Sequence, residues 1–246
     1  MTSIQTDTKK WTAQEFERLV LESKPKVAVF DCDGTLWDGD SGGGFLKWSI
    51  EQGLVSRSTS DWIDTRYRAY LAGATSEEQI CAEVVQIYAG LRDTELRDAA
   101  ARYMQEYLPG ALFDEMAALV VELRKSGTEI WAVSSTNKWV VAEGVRSFGI
   151  PEDHVLAVEL RVIDGLIAHE IVDVPSGDGK AVALARVGVP HPDAVFGNSA
   201  HDLAMLEMAR CPFPVNPSPS LLKALPSRGW GYYMPHASTG TVVGGE

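Results

Sequence analysis

Four short runs of the chain are apolar and β-rich without alternating: KVAVF (26–30), EIWAVS (129–134), DAVFGN (193–198) and FPVN (213–216). A strand with one wet face alternates polar and apolar residues. A strand covered on both faces reads as a continuous apolar run, the pattern of a parallel sheet with helices above and below. Helical patterns lie between these runs; Phe113, Met116, Ala117, Val120 and Leu123, for example, recur at helical spacing. Strand–helix alternation of this kind predicts an α/β, doubly wound, Rossmann-like fold. At 246 residues, with 45% hydrophobic and 23% charged, the chain suffices for one large globular domain or one with a smaller insertion.

The segment 41–107 breaks the alternation. It holds no good strand and several amphipathic stripes. Ser76 and Gln79 form a capping box ahead of Ile80, Val84, Ile87, Tyr88 and Leu91; Leu96, Ala99, Ala100, Tyr103, Met104 and Tyr107 make a second stripe. The pattern predicts an all-helical cap domain at 41–107, inserted into a core domain made of 1–40 and 108–246, with YLPGA (107–111) marking the return. Gly42-Gly43-Gly44 reads as a hinge between the two, and Trp48, Trp62, Tyr67 and Tyr70 read as cap core. Thr12 with Glu15 caps a short first helix. Near 158–171 an Asp164-Gly165 turn predicts a β-hairpin.

Charge and cysteine usage limit the partners. A formal net charge of −12 argues against a nucleic-acid footprint, which needs lysine and arginine patches. Cys32, Cys81 and Cys211 are odd in number and show no metal spacing, which predicts free thiols in a reducing cytoplasm. The first sixteen residues contain no apolar signal core, no stretch suits a membrane span, and the tail HASTGTVVGGE (236–246) reads as loosely ordered.

Polar residues collect where the predicted strands end, the place where open α/β sheets bind ligands. The first run ends in Asp31 and Asp33, whose side chains project to one side while Cys32 points to the other. Isolated buried carboxylates are costly and need a cation, donors or a chemical role. The second run ends in Ser134, followed by Ser135 and Thr136; Lys180 opens a helix, where backbone N–H groups favour anions; GNSAHD offers Asn198 and Asp202.

These four clusters, in this order, resemble the motifs of the haloacid dehalogenase superfamily in its phosphatase branch: DxDGT at Asp31 and Asp33, a hydrophobic run ending in Ser134, Lys180, and GNSAHDLAML in place of GDxxxDxxML. The resemblance spans about 27–225. Cap size and VNPSPSLLKAL make it most similar to phosphoserine phosphatase and its relatives. It implies an Mg²⁺-dependent phosphomonoester hydrolase acting on a small phosphorylated metabolite. Asp31 would be the nucleophile, and Asp33 the general acid and base. Ser134, Ser135 and Lys180 would hold phosphate, while Asp31, the Asp33 carbonyl, Asn198 and Asp202 would hold the metal. A second acid would be idle in a dehalogenase, because halide needs no proton to leave. Asn198 stands where the pattern usually has Asp, which keeps a phosphate-binding, non-catalytic member among the alternatives; a phosphotransferase is another.

The resemblance also bears on the alcohol half of the substrate. Asp40 matches an acid that meets the substrate ammonium in phosphoserine phosphatases. Val84 falls where their cap places a carboxylate-binding arginine; none occurs from 76 to 91, though Arg57, Arg66 or Arg68 could substitute. Phosphoserine is therefore expected to be a poor substrate beside Asp40 and Glu77, and a phosphorylated amino alcohol, polyol or sugar a better one.

Overall fold

A computed structural model of the chain describes residues 8–236, so the expected loose tail lies outside the described residues apart from His236. In chain order the elements are β1 (Lys10–Trp11), α1 (Ala13–Glu22), β2 (Val27–Phe30), α2 (Ser41–Glu51), α3 (Arg57–Leu71), α4 (Glu77–Gln86), α5 (Asp93–Ala111), α6 (Asp114–Lys125), β3 (Glu129–Asn137), α7 (Lys138–Arg146), β4 (Val155–Ile163), β5 (Leu166–Asp173), α8 (Asp178–Arg186), β6 (Ala194–Gly197), α9 (Leu203–Glu207), β7 (Cys211–Pro214), α10 (Pro219–Ala224) and β8 (Tyr232–Tyr233). The main sheet has the order β5-β4-β3-β2-β6-β7, and β1 with β8 forms a separate two-stranded ribbon. All neighbours in the main sheet are parallel except β4 and β5. The chain thus folds as a doubly wound α/β protein, with the order reversing between β2 and β6.

The continuous apolar runs follow from burial on both faces. In β2, Ala28 and Phe30 join one core, which α1, α5, α6 and α7 cover. Val29 joins the other, beneath α8, α9 and α10. The hairpin forms as expected, with Asp164 (φ 50°) and Gly165 (φ 77°) both left-handed, the conformation of a type I′ turn. Thr12 and Glu15 cap α1 reciprocally, satisfying two helix-end donors.

The inserted segment is built of helices, as its stripes require, and much of its buried face packs into the core of the sheet. Phe45, Val85, Tyr88, Leu96 and Tyr103 belong to the same buried cluster as the sheet residues. α5 runs unbroken through residue 107 to Ala111, so Pro109 lies inside its last turn instead of ending it. Gly42–Gly44 are not a free hinge; they form the first turn of α2 behind the N-cap Asp40. The aromatic residues divide. Trp48 packs against the core, whereas Trp62 and Tyr67 are exposed. No helix among the described residues is long and apolar enough to cross a membrane.

Candidate active site

Strand register brings the polar residues to one level. Phe30 at the end of β2 pairs with Ala132 on one side and Phe196 on the other. Asp31 and Asp33 follow Phe30, Ser134 lies two residues past Ala132, and Asn198 lies two past Phe196. All of them line one cavity of about 250 Å³ at the point where the strand order reverses. Lys180 from the first turn of α8 joins them, with Asp40 and the α3 and α4 residues Tyr67, Tyr70, Ile80 and Val84 forming the opposite wall.

Asp31 is almost fully buried and held on both oxygens. Lys180 Nζ donates to Oδ1 at 2.7 Å, and the Thr35 hydroxyl donates to Oδ2 at 3.0 Å. Burial pushes the Asp31 carboxyl up to about 7; the charge of Asp202 adds to the rise and Lys180 opposes it. Lys180 also donates to Asp202 Oδ1 at 2.6 Å. Burial works against the ammonium, but the two carboxylates outweigh it and hold Lys180 above the usual lysine range.

Asp33 meets neutral donors only. Trp37 Nε1 (2.6 Å) and the Ser41 N–H (2.9 Å) donate to Oδ1, and the Thr136 hydroxyl (2.7 Å) donates to Oδ2. Thr136 can come this close because residue 42 is glycine; a Cβ there would lie 2.6 Å from Thr136 Oγ1. Asp40 caps α2 through a 2.8 Å bond from the Gly43 N–H. Its carboxyl is raised, first by burial and then by the charge of Asp33.

The remaining expected site residues divide by how their polar atoms are used. The Ser134 hydroxyl accepts from the Thr136 N–H at 3.1 Å, with no acceptor for its own proton among the described residues. Ser135 lines the same cavity but donates its hydroxyl to the Pro175 carbonyl. Asp202 is fully buried. Its Oδ1 takes Lys180, and its Oδ2 takes the Asn198 N–H, the Ser199 N–H and the Ser199 hydroxyl. The Asn198 side chain has no hydrogen-bond partner among the described residues and packs over Gly34. A Cβ on Gly34 would lie 1.9 Å from Asn198 Nδ2, and its φ of +75° is itself a glycine conformation.

Among the described residues, no group of three His, Cys, Asp or Glu side chains forms a metal cluster. Asp31, Asp33 and Asn198 line the same cavity, and the carboxylate, main-chain and amide oxygens they carry are all hard donors. Hard oxygen donors few in number suit Mg²⁺, which keeps several waters.

Several groups gain a place here that sequence reasoning did not give them. Thr35 lies inside the quoted DxDGT motif, and Trp37 directly follows it, so both were visible without a role. His201 is exposed and pairs with Glu77 at the start of α4, bridging the strand-end loop and the inserted helices. Both residues line the cavity, and the Glu77 partner raises the His201 pKa.

Comparison with known proteins gives the family. The model of the haloacid dehalogenase-like hydrolase family matches residues 28–207. A histidinol-phosphatase from Neisseria meningitidis is 25% identical over 215 residues, covering 83% of this chain and 96% of its own length. A probable phosphatase from Mycobacterium tuberculosis is 27% identical, covering 83% and 73%. Among solved structures, a Bordetella pertussis protein of unknown function superposes with a TM-score of 0.75 at 23% identity, covering 84% of this chain and 97% of that one. A substrate-bound phosphoserine phosphatase superposes at 0.57 and 17%, covering 87% and 94%. With the family model spanning both strand-end aspartates, Lys180 and the Asn198 loop, the chain belongs to the haloacid dehalogenase-like hydrolases.

Proposed function

We propose that the protein is a phosphomonoester hydrolase working through an aspartyl-phosphate on Asp31. The observation that carries this reading is the unequal treatment of two neighbouring carboxylates. Asp31 is held and oriented by the Lys180 ammonium and the Thr35 hydroxyl, whereas Asp33 meets only neutral donors. In the first step an Asp31 oxygen bonds to phosphorus and the ester P–O bond breaks. Asp33 gives its proton to the departing alkoxide. In the second step Asp33 takes a proton from water, the water oxygen bonds to phosphorus, and the Asp31–phosphorus bond breaks. Splitting hydrolysis this way replaces one difficult step by two easier ones.

On this reading the hydrogen bonds favour one Asp33 oxygen as the proton carrier. Oδ1 already accepts two N–H donors that cannot reverse. Oδ2 faces only the Thr136 hydroxyl, which rotates and can accept as well as donate. The shuttled proton would therefore sit on Oδ2.

Lys180 and the Ser134 hydroxyl would hold phosphate oxygens, and Asp40 would meet the alcohol half. Mg²⁺ would be held by Asp31, the Asp33 carbonyl and Asn198, and when bound it supplies charge that offsets the repulsion between carboxylate and phosphate dianion. We place Asp202 behind Lys180 rather than on the metal, since four donors already occupy its two oxygens. Ser135 is left out of the phosphate set because its hydroxyl proton goes to Pro175.

Phosphate release from a panel of phosphorylated metabolites, with Mg²⁺ and with chelator, tests the reading. Mg²⁺-dependent release is expected. The neutral Asn198 favours a second reading, a member that binds phosphate esters without turnover; binding without release across the panel would select it. Asn198→Asp is expected to tighten Mg²⁺ binding, measured calorimetrically, by about tenfold or more, as a carboxylate replaces an amide. Unchanged binding would remove Asn198 from the metal set.

A further inference from the structure

The segment that carries the chain from β2 into the insertion lies against the segment that returns. The Asp38 N–H donates to the Ala111 carbonyl at 2.7 Å, and the Phe113 N–H donates to the Leu36 carbonyl at 3.1 Å. Between these two bonds Trp37 is bridged to Leu112. On its other side the Trp37 carbonyl accepts from the Gly34 N–H at 2.7 Å. The backbone of Trp37 is thereby fixed, and so is its ring. The indole is fully buried and abuts Gly144 of α7, with Met104 of α5 beside it. A Cβ on Gly144 would lie 2.7 Å from Trp37 Cη2 and 2.8 Å from Met104 Cε.

A buried indole needs an acceptor for its N–H. Trp37 Nε1 finds it in Asp33 Oδ1 at 2.6 Å, the shortest of the three side-chain bonds that Asp33 receives. Bonds of this length to a carboxylate are strong and directional. Asp33 lies beyond the end of β2, so no ladder of the main sheet holds it. Its Thr136 partner is a hydroxyl that rotates, able to follow the carboxyl but not to restrain it. The indole cannot follow, because its ring is wedged in the core.

We propose that Trp37 is a positioning residue: its rigid N–H aims the Asp33 carboxyl so that Oδ2 meets the ester oxygen of the departing alcohol. This rests on the phosphatase reading and adds to it the group that holds the acid in line. Trp37 does not line the cavity, so its effect on the reaction passes through Asp33. A misaimed acid costs most where the leaving group cannot depart without a proton.

Trp37→Phe keeps an aromatic ring and removes the N–H. The test compares kcat/KM for the best alkyl phosphate of the panel and for p-nitrophenyl phosphate, with thermal unfolding to confirm that the variant is folded. This ratio covers the steps through departure of the alcohol, so the later work of Asp33 on water does not enter it. The alkyl ester is expected to lose about thirtyfold or more, and the aryl ester less than about threefold, because nitrophenolate leaves without a proton. A merely structural defect would slow both esters alike. If Trp37→Phe folds poorly, Gly144→Ala takes its place with the same split expected. It retains the indole but pushes the ring from its seat, and alanine suits a helix better than glycine. Equal losses on the two esters, or an undiminished alkyl rate, in the folded variant would overturn the proposal and leave the hydrolase reading intact. If the wild-type protein releases phosphate from neither ester, the hydrolase reading fails and the proposal falls with it.

Discussion

Asp31→Asn is expected to lower kcat by at least about 10³-fold on every phosphate ester while the protein folds normally. On the proposed reading the Asp31 carboxylate forms the covalent bond to phosphorus, and an amide cannot replace it. Folding should survive, and stability should hold or rise. Burial has already pushed the Asp31 carboxyl up to about 7, so its charge is held in the folded state at a cost that asparagine removes. Sites that hold charge against burial for chemistry commonly trade stability for activity in this way. Steady-state kinetics with thermal unfolding checks both halves, and mass spectrometry confirms that the asparagine has not hydrolysed to aspartate. Retained turnover in verified Asp31→Asn protein, or a marked fall in Tm, would contradict the assignment.

Lys180→Met should produce the largest loss of stability in the site. Its ammonium lies 2.7 Å from Asp31 and 2.6 Å from Asp202, with all three side chains buried. Methionine preserves most of the shape and removes the charge, leaving two carboxylates facing each other without a cation. Breaking a buried pair in this manner costs about 3–5 kcal/mol, which for a chain of this size is roughly a 10 °C fall in Tm in metal-free buffer. Activity should fall as well, since a phosphate ligand is lost. The double variant Lys180→Met/Asp31→Asn should recover part of the stability, because one of the stranded charges is gone. Strictly additive losses in that cycle would show that the two groups do not interact as the geometry requires.

Much of the architecture was legible because it rests on local patterns. β2, β3, β6 and β7 announce themselves as unbroken apolar runs, since a strand buried on both faces leaves no room for polar alternation. The hairpin was legible from Asp164-Gly165, the pair that tolerates two successive left-handed residues. Two-residue strands such as β1 and β8 are too short to carry any period. The first residues of β4 pair in parallel with β3 before the hairpin begins, a switch of partner that no local spacing encodes. YLPGA was read as the return to the core domain, yet α5 continues through it to Ala111 and holds Pro109 in its last turn.

The candidate site divides in the same way. Asp31, Asp33, Ser134, Lys180 and Asn198 could be singled out because each belongs to a recognisable motif, although β3 continues past Ser134 to Asn137. Their supporting contacts span the chain: Thr136 reaches Asp33 across 103 residues, and Lys180 reaches Asp31 across 149. Such pairings depend on sheet order and strand register, which one sequence does not display. The Glu77–His201 pair is hidden for the same reason, since one partner lies in the insertion and the other in the strand-end loop.

The central claim is that a phosphoryl group passes through the Asp31 carboxylate. Turnover of a labelled phosphate ester, quenched in acid within milliseconds and followed by borohydride reduction, converts a phosphorylated aspartate into homoserine that peptide mass spectrometry can locate. The account predicts reduction at position 31 alone, absent from Asp31→Asn protein and from protein without substrate. Phosphate release with no trapped species at any quench time, or with the label at another residue, would contradict it.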